Sequence, residues 1–282
     1  MRSLLAVPAN NARFVAKAAQ SAADAVFLDL EDAVVPELKV AARVEAIAAI
    51  KAIDWGRRRV GVRVNDLGTP WGRDDLAALA GGTPQLDFVI LPKCDTAAIG
   101  TADGLLRPSG IRIAALIESA RGVAQCEAIA GASARLTALV FGPADYSLDM
   151  GVLDGSLDTT FALARVGNAA RAFGLHPIDG PYFDIANPEG CRAAAKRAAS
   201  LGFAGKMAIH PSQVEIANEV FSPSPAQLEW AREVLEAMSA AGEAGRGAVK
   251  TRDGKMIDLV HIKIARQLLE RARATQQGGV SR

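Results

Sequence analysis

Eight short apolar runs recur along the chain, separated by longer segments rich in alanine, arginine and glutamate. The runs are Ser3–Val7, Ala25–Leu30, Val60–Val64, Phe88–Leu91, Ile113–Ile117, Leu139–Phe141, a weak one at Pro177–Ile178, and Met207–Ile209. Their apolar residues are continuous rather than alternating, as in strands that are buried on both faces of a parallel sheet. The segments between them place apolar residues near every third or fourth position, which predicts amphipathic helices. The sequence therefore predicts an α/β fold.

Eight such strand–helix units close most naturally as a (β/α)₈ TIM barrel. The chain has 282 residues, and barrels of this kind run to roughly 250 residues as a single core. The alternative is an open doubly wound sheet. No Gly-rich GxGxxG turn follows the first run, so dinucleotide binding, the usual role of such a sheet, has little support.

The pattern changes after Phe221, which predicts a barrel over residues 1–221 and a C-terminal helical extension over 222–282. A helix is expected to begin at the Ser222–Pro225 segment and to run through Met238, and a last helix is expected over Met256–Ala274. About 60 residues with two helices bury too little surface to form a core alone. The extension is therefore expected to pack on the barrel or on a neighbouring subunit.

Composition excludes several partners. The formal net charge is +1 and the pI about 7.7, which gives no overall field to attract nucleic acid or an anionic membrane. No stretch approaches the roughly 18 apolar residues of a membrane span, and the run at Leu4–Val7 is too short for a signal peptide. The three cysteines are widely spaced, so neither disulfides nor a zinc site is suggested. A cytoplasmic protein is expected.

Charged or polar residues follow nearly every predicted strand. They are Asp29, Glu31 and Asp32 after the second run, Arg63 and Asn65 after the third, then Lys93, Glu118, Asp145, Asp179 and His210 after the later ones. In a barrel these residues meet at the C-terminal face, where such enzymes have their active sites. For any one of them, capping a strand end is an equally good interpretation. Their joint occurrence favours a functional site.

Glu118 and Asp145 follow adjacent strands and form a candidate magnesium site. Mg²⁺ prefers octahedral oxygen coordination and usually takes one or two protein carboxylates, with water and substrate in the other positions. Zinc or iron is less favoured because no histidine follows either strand. An α-keto or α-hydroxy acid would supply the remaining oxygens.

An ordered series of motifs resembles the HpcH/HpaI aldolase and citrate lyase family, which includes citrate lyase β-subunits and the malyl-CoA and citramalyl-CoA lyases. The motifs are RSLLAVPAN (Arg2–Asn10), FLDLEDAV (Phe27–Val34), VRVN (Val62–Asn65), LPK (Leu91–Lys93), LIESARGV (Leu116–Val123), FGPADYSLDMG (Phe141–Gly151), HPIDGPYFD (His176–Asp184), GKMAIHPSQV (Gly205–Val214) and DGKMID (Asp253–Asp258). The resemblance spans Arg2 to about Ala274. It implies a Mg²⁺-dependent lyase built on a barrel.

Carried over residue by residue, the resemblance implies that Glu118 and Asp145 ligate Mg²⁺ and that Arg63 holds the carbonyl or enolate oxygen. Asp258 would be the acid/base residue, reaching the site of a neighbouring subunit in a homotrimer or hexamer. The implied contacts with CoA or substrate are Lys17, Arg13 and Ala144, and the implied supports of the site are Glu31 and Asp32.

The implied reaction splits a 3-hydroxy-acid CoA thioester, of the citramalyl-CoA, malyl-CoA or citryl-CoA type, into a 2-keto acid and an acyl-CoA through an enolate. Two departures favour the shorter citrate-lyase-β-like proteins over malyl-CoA lyases. Asn11 stands where malyl-CoA lyases usually have arginine, and Val152–Thr160 is shorter than their insertion. The alternatives are a citryl-thioester lyase subunit of a citrate lyase complex and a non-catalytic acyl-CoA-binding barrel. Thioester hydrolysis is a possible secondary activity.

Overall fold

A computed structural model describes residues 1–81, 83, 85–243, 248–250 and 256–276. The chain divides into two compact units, Met1–Phe221 and Ser222–Arg282. The first unit is a closed barrel of eight parallel strands in chain order, and β8 pairs back with β1. The strands are β1 Ser3–Pro8, β2 Ala25–Asp29, β3 Arg59–Arg63, β4 Phe88–Leu91, β5 Arg112–Ile117, β6 Leu136–Phe141, β7 His176–Asp179 and β8 Gly205–Ala208. The predicted (β/α)₈ barrel is confirmed.

Helices follow the strands around the outside of the barrel. They are α1 Ala12–Ala18, α2 Lys39–Ala52, α3 Gly72–Ala80, α4 Thr96–Leu105, α5 Ala120–Ala124, α6 Cys126–Ala130, α7 Pro143–Asp149, α8 Thr160–Ala172, α9 Pro188–Ser200 and α10 Pro211–Val220, with a 3₁₀ turn at Pro36–Leu38. Several helices begin at a side-chain cap that satisfies a free backbone N–H. Asn11 accepts from Phe14 N, Asp95 from Ala98 N and Asn187 from Gly190 N.

The strands bury both faces, which explains their continuous apolar sequences. In β2, Ala25 and Phe27 point into the barrel, whereas Val26 and Leu28 join the layer between strands and helices. The barrel interior is a packed core rather than a channel. Phe88 fills part of it opposite Gly61, where an added Cβ would lie 2.3 Å from the Phe88 ring.

The second unit consists of α11 (Pro225–Glu243), a two-stranded antiparallel sheet of β9 (Val249–Lys250) and β10 (Met256–Ile257), and α12 (Leu259–Gln276). Its small core contains Ala231, Val234, Met238, Ile257 and Ala265. The expected start of the last helix at Met256 is wrong. Met256 and Ile257 pair with β9, and α12 begins after Asp258, whose Oδ1 accepts the N–H of Val260 at 2.9 Å.

Part of the DGKMID motif, residues 253–255, lies outside the described residues. Among the helices that the structure does describe, we find none with both the length and the apolar character needed to cross a membrane.

Candidate active site

The candidate site lies at the C-terminal ends of the barrel strands. Arg63 is the last residue of β3, Glu118 directly follows β5, and Asp145 lies in the first turn of α7, just after β6. Glu31 follows the end of β2 by two residues. The closed barrel thus gathers at one face side chains that are far apart in the sequence.

Glu118 is a buried carboxylate with few compensating donors. It is only 3% exposed, and its Oε1 accepts the backbone N–H of Lys93 at 2.7 Å. Burial raises the pKa of Glu118 to about 8, and the charges of Glu31 and Asp145 act in the same direction. A carboxylate in this position favours a bound cation, because a cation would stabilise its charged form.

Asp145 is held near Glu118 by the turn that links β6 to α7. Gly142 closes this turn against Glu118, and Pro143 begins the helix. Asp145 lies close enough to Glu118 for its charge to raise the pKa of that carboxyl. Asp145 itself is partly exposed.

These carboxylates fit Mg²⁺. In the described part of the chain, no three His, Cys, Asp or Glu side chains converge as they would in a cage built by protein alone. Mg²⁺ does not need such a cage, because one or two carboxylates with water and substrate oxygens complete its coordination. The structural observation that fits a cation is the burial of Glu118, which is 3% exposed and accepts a hydrogen bond from the backbone of Lys93.

Arg63 is surrounded by three carboxylates. Its Nε and Nη2 donate to Oδ1 and Oδ2 of Asp29 at 2.8 and 2.6 Å, the two-point geometry in which guanidinium binds carboxylate most strongly. Its Nη1 lies 3.0 Å from Glu31 and 3.1 Å from Asp32. Burial lowers the pKa of Arg63, but the bonds and charge of Asp29 more than offset this. Arg63 is therefore charged and fixed in orientation.

Lys93 completes the charged network. Its Nζ lies 2.8 Å from Oε1 of Glu31. Burial lowers the pKa of Lys93, but the hydrogen bond and charge of Glu31 raise it to about 12. A protonated amine is not a nucleophile, so Lys93 is a poor candidate for a Schiff base. Lys206 is likewise engaged, because its buried Nζ donates to Asp179 at 2.5 Å and to the Gly180 carbonyl at 2.7 Å.

The structure brings together Glu118, Asp145, Arg63, Glu31 and Asp32, and it shows the partners of two further charged residues that follow predicted strands, Asp29 and Lys93. Asp29 is the main partner of Arg63, and Lys93 joins Glu31 to Glu118. The available sequence signal was their position after β2 and β4. His210 has a structural role, because it caps α10 by accepting the N–H of Ser212.

The other predicted residues lie on α1, on α7 and in the second unit. Arg13 and Lys17 are exposed on α1, and Ala144 is exposed on α7 beside Asp145. Asp258 belongs to the second unit, where its Oδ1 lies 2.8 Å from Nδ1 of His261. The hydrogen bond from His261 is the main cause of a lowered pKa at Asp258.

Fold and site define a (β/α)₈ enzyme with a two-carboxylate site suited to a divalent cation. The profile of the HpcH/HpaI aldolase/citrate lyase family matches residues 2–211, and the chain belongs to this family. The chain is 39% identical over 296 residues to L-malyl-CoA/beta-methylmalyl-CoA lyase of Cereibacter sphaeroides, with 94% of the chain and 92% of the relative covered.

Two further relatives are similar over almost the whole chain. A (3S)-malyl-CoA thioesterase of Cereibacter sphaeroides is 39% identical over 284 residues, which cover 99% of this chain and 97% of the relative. Among solved structures, the protein CitE from Mycobacterium tuberculosis in complex with magnesium, acetoacetate and coenzyme A superposes with a TM-score of 0.79. It is 32% identical, with 97% of this chain and all of that chain covered.

Proposed function

We propose that the chain is a Mg²⁺-dependent carbon–carbon lyase. It cleaves a 3-hydroxy-acid CoA thioester, of the citramalyl-CoA, malyl-CoA or citryl-CoA type, into a 2-keto acid and an acyl-CoA. The observation that carries the proposal is the pair Glu118 and Asp145 beside a fixed, charged Arg63 at the C-terminal face. The names of the lyase relative and the magnesium and coenzyme A in the related structure support it.

Each residue has a chemical task in this proposal. Glu118 and Asp145 hold Mg²⁺, which when bound supplies a Lewis acid for the oxygens of the keto-acid half. Arg63 donates to the thioester oxygen, on which negative charge develops as the bond breaks. Because Asp29 fixes the guanidinium in advance, little reorganisation is needed during the reaction. Glu31 and Asp32 hold the third nitrogen of the same group.

Asp258 is the proposed base that removes the hydroxyl proton, acting on the site of a neighbouring subunit. Its lowered pKa keeps it ionised and able to accept a proton. Near it, the second unit exposes Met256, Leu259 and Val260, each by more than half of its surface. Such apolar exposure is suited to a subunit contact. The proposed assembly is a homotrimer or hexamer, with residues 222–282 as the lid.

Subunit mixing tests the assignment of Asp258. Asp258→Asn and Glu118→Ala, each inactive alone, are expected to regain activity when unfolded and refolded together. In a closed ring, about one site in four would then combine an intact barrel with an intact lid. No activity in the mixture, with both variants assembled normally, contradicts a base supplied by the neighbour.

Arg13 and Lys17 are the proposed contacts of the CoA phosphates. Both are exposed cations on α1, which follows β1 on the active-site side of the barrel. This choice of carrier competes with a citryl-carrier-protein thioester, as in a citrate lyase complex. Comparing the two thioesters in one assay decides between them. The predicted cytoplasmic location stays a prediction.

Thioester hydrolysis is a second candidate activity. The alignment with the thioesterase leaves out almost none of this chain, whereas the alignment with the lyase is longer and leaves out 6% of it (100% less the 94% covered). The two activities share their ligand and differ in products. Hydrolysis releases free CoA thiol, whereas cleavage of the carbon–carbon bond leaves the thioester intact.

The first experiment is a coupled assay for keto-acid release from citramalyl-CoA, malyl-CoA, methylmalyl-CoA and citryl-CoA, with Mg²⁺ or with EDTA. Free thiol is measured in the same samples. Metal-dependent keto-acid release that is lost in Glu118→Ala supports the lyase and names its substrate. Thiol release without keto acid favours the hydrolase. Tight acyl-CoA binding without any turnover favours the non-catalytic barrel.

A further inference from the structure

Lys93 has an unusual backbone conformation. Its φ is 47°, and it is the one non-glycine residue with positive φ in the part of the chain that the structure describes. Side chains other than glycine resist this region because Cβ approaches the following carbonyl. Residues held in such conformations concentrate at functional sites, where the surrounding structure enforces them. The contacts of Lys93 show which interactions this backbone conformation supports.

The backbone N–H of Lys93 donates to Oε1 of Glu118 at 2.7 Å. The next residue, Cys94, donates its N–H to the carbonyl of Leu116 at 3.3 Å, so the chain here is tied to the end of β5. The φ of Lys93 helps to set the angle between the peptide group that carries this N–H and the next peptide group, which carries the N–H of Cys94. The strained φ therefore allows both hydrogen bonds to form together, and one of them serves a carboxylate that has few other donors.

The side chain of Lys93 acts on the other half of the site. Its ammonium lies 2.8 Å from Oε1 of Glu31, while Oε2 of Glu31 lies 3.0 Å from Nη1 of Arg63. This buried Oε2 has an ion pair but no hydrogen bond. Glu31 thus stands between two cations, and Lys93 draws one of its oxygens away from Arg63.

We propose that Lys93 is a positioning residue that joins the two halves of the site. Its backbone amide sets the carboxylate of Glu118 for the metal, and its ammonium holds Glu31 so that Arg63 stays available to substrate. This inference rests on the proposed function and deepens it. The alternative is that Lys93 forms only a half-exposed ion pair with Glu31, which would contribute little to stability.

The role of the Lys93 backbone amide in positioning Glu118 is tested with two variants that both lack the ammonium. Lys93→Gly adopts a φ of 47° freely, whereas Lys93→Val, with a β-branched side chain, resists it most. Titration with Mg²⁺ alone, by calorimetry, is expected to give Lys93→Gly an affinity within about threefold of wild type. Lys93→Val is expected to lose at least about tenfold, as when an outer partner of a metal ligand is removed.

Equal Mg²⁺ affinities in the two variants overturn the backbone task. Circular dichroism establishes that both variants fold. If Lys93→Val does not fold, Lys93→Ala replaces it, because alanine also resists positive φ but adds no branch. These titrations need no turnover, so they test the inference even if none of the thioesters proves to be a substrate.

The ammonium task is tested by a double-mutant cycle of Lys93→Gly with Glu31→Gln, measured as kcat and KM at saturating Mg²⁺. Freed from Lys93, Glu31 turns both oxygens to Arg63, and kcat is expected to fall about tenfold in Lys93→Gly. Removing the charge of Glu31 in the double variant is expected to restore part of this loss, which is non-additivity between contacting residues. If the effects of the two substitutions on kcat are strictly additive, or if kcat falls only as Mg²⁺ affinity falls, the proposed role of the ammonium is overturned.

Discussion

Gly142 lies where the chain leaves β6 and packs against Glu118, so one added methyl group there perturbs the proposed metal site directly. A Cβ at this position would lie 2.5 Å from Cβ of Glu118 and 2.8 Å from its Oε2. Carbon atoms in contact prefer about 3.5–4.0 Å. In Gly142→Ala, Glu118 must therefore move by about 1 Å.

That shift is large enough to break the hydrogen bond that holds Glu118 in the site. Its Oε1 lies 2.7 Å from the N of Lys93, and a further 1 Å exceeds the roughly 3.2 Å limit of a good hydrogen bond. Overpacking of this kind costs about 1–3 kcal/mol of stability. Displacing a ligand from its supporting donor is expected to lower Mg²⁺ affinity about 10–100-fold.

Calorimetric titration with Mg²⁺ and thermal melts of Gly142→Ala measure both effects. Gly100→Ala is the matched control, because an added Cβ on α4 meets nothing within 4 Å. The control is expected to be more stable by about 0.5–1 kcal/mol, because alanine is more favourable than glycine in a helix interior. It is expected to bind Mg²⁺ with wild-type affinity. If Gly142→Ala also binds Mg²⁺ with wild-type affinity, the placement of Glu118 as a ligand is refuted.

Three further predictions concern stability. Burial lowers the pKa of His176 from 6.5 to about 4, so the unfolded chain takes up the proton first and stability falls as the pH drops from about 6.5 toward 4. The free energy of unfolding is expected to fall by about 2 kcal/mol at pH 5. Urea melts should show a smaller fall in His176→Gln, and an equal fall in both proteins would contradict the prediction. Lys206→Met leaves the buried carboxylate of Asp179 without its ion-pair partner, and denaturation should show that the free energy of unfolding falls by about 3–5 kcal/mol. Adding Asp179→Asn should make this fall smaller. Mg²⁺ at about 100 times its Kd should stabilise the wild type by about 2.7 kcal/mol relative to EDTA, and should not stabilise Glu118→Ala.

The barrel could be predicted from the sequence because each buried parallel strand has a continuous apolar run, and the family could be predicted from the ordered series of motifs. Each of the eight apolar runs became a strand, including the weak run at Pro177–Ile178, which lies in β7. The position of charges after these runs was equally informative. The order of strands in a closed barrel brings residues such as Arg63 and Glu118 to one face, whatever lies between them in the chain. The prediction of a carbon–carbon lyase agrees with the name of the lyase relative.

The partners within the site depend on register and backbone conformation, which the sequence does not show. Asp29, Glu31 and Asp32 all follow one apolar run, and nothing in the residues distinguishes them. The β2–β3 register pairs Asp29 directly with Arg63, which makes Asp29 the principal partner. The positive φ of Lys93 is likewise invisible in the motif LPK, because lysine has no preference for that conformation.

The balance of charge assigns different tasks to Arg63 and to the metal. Among the described residues, the network around Arg63 contains five carboxylates and two cations: Asp29, Glu31, Asp32, Glu118 and Asp145 face Arg63 and Lys93. Since Arg63 contacts three of these carboxylates, its charge is largely offset before any substrate arrives. Arg63 can therefore orient an oxygen by hydrogen bonding but adds little net positive charge. The charge that an enolate requires is left to the proposed divalent cation at Glu118, whose pKa is raised by burial and by the neighbouring charges of Glu31 and Asp145.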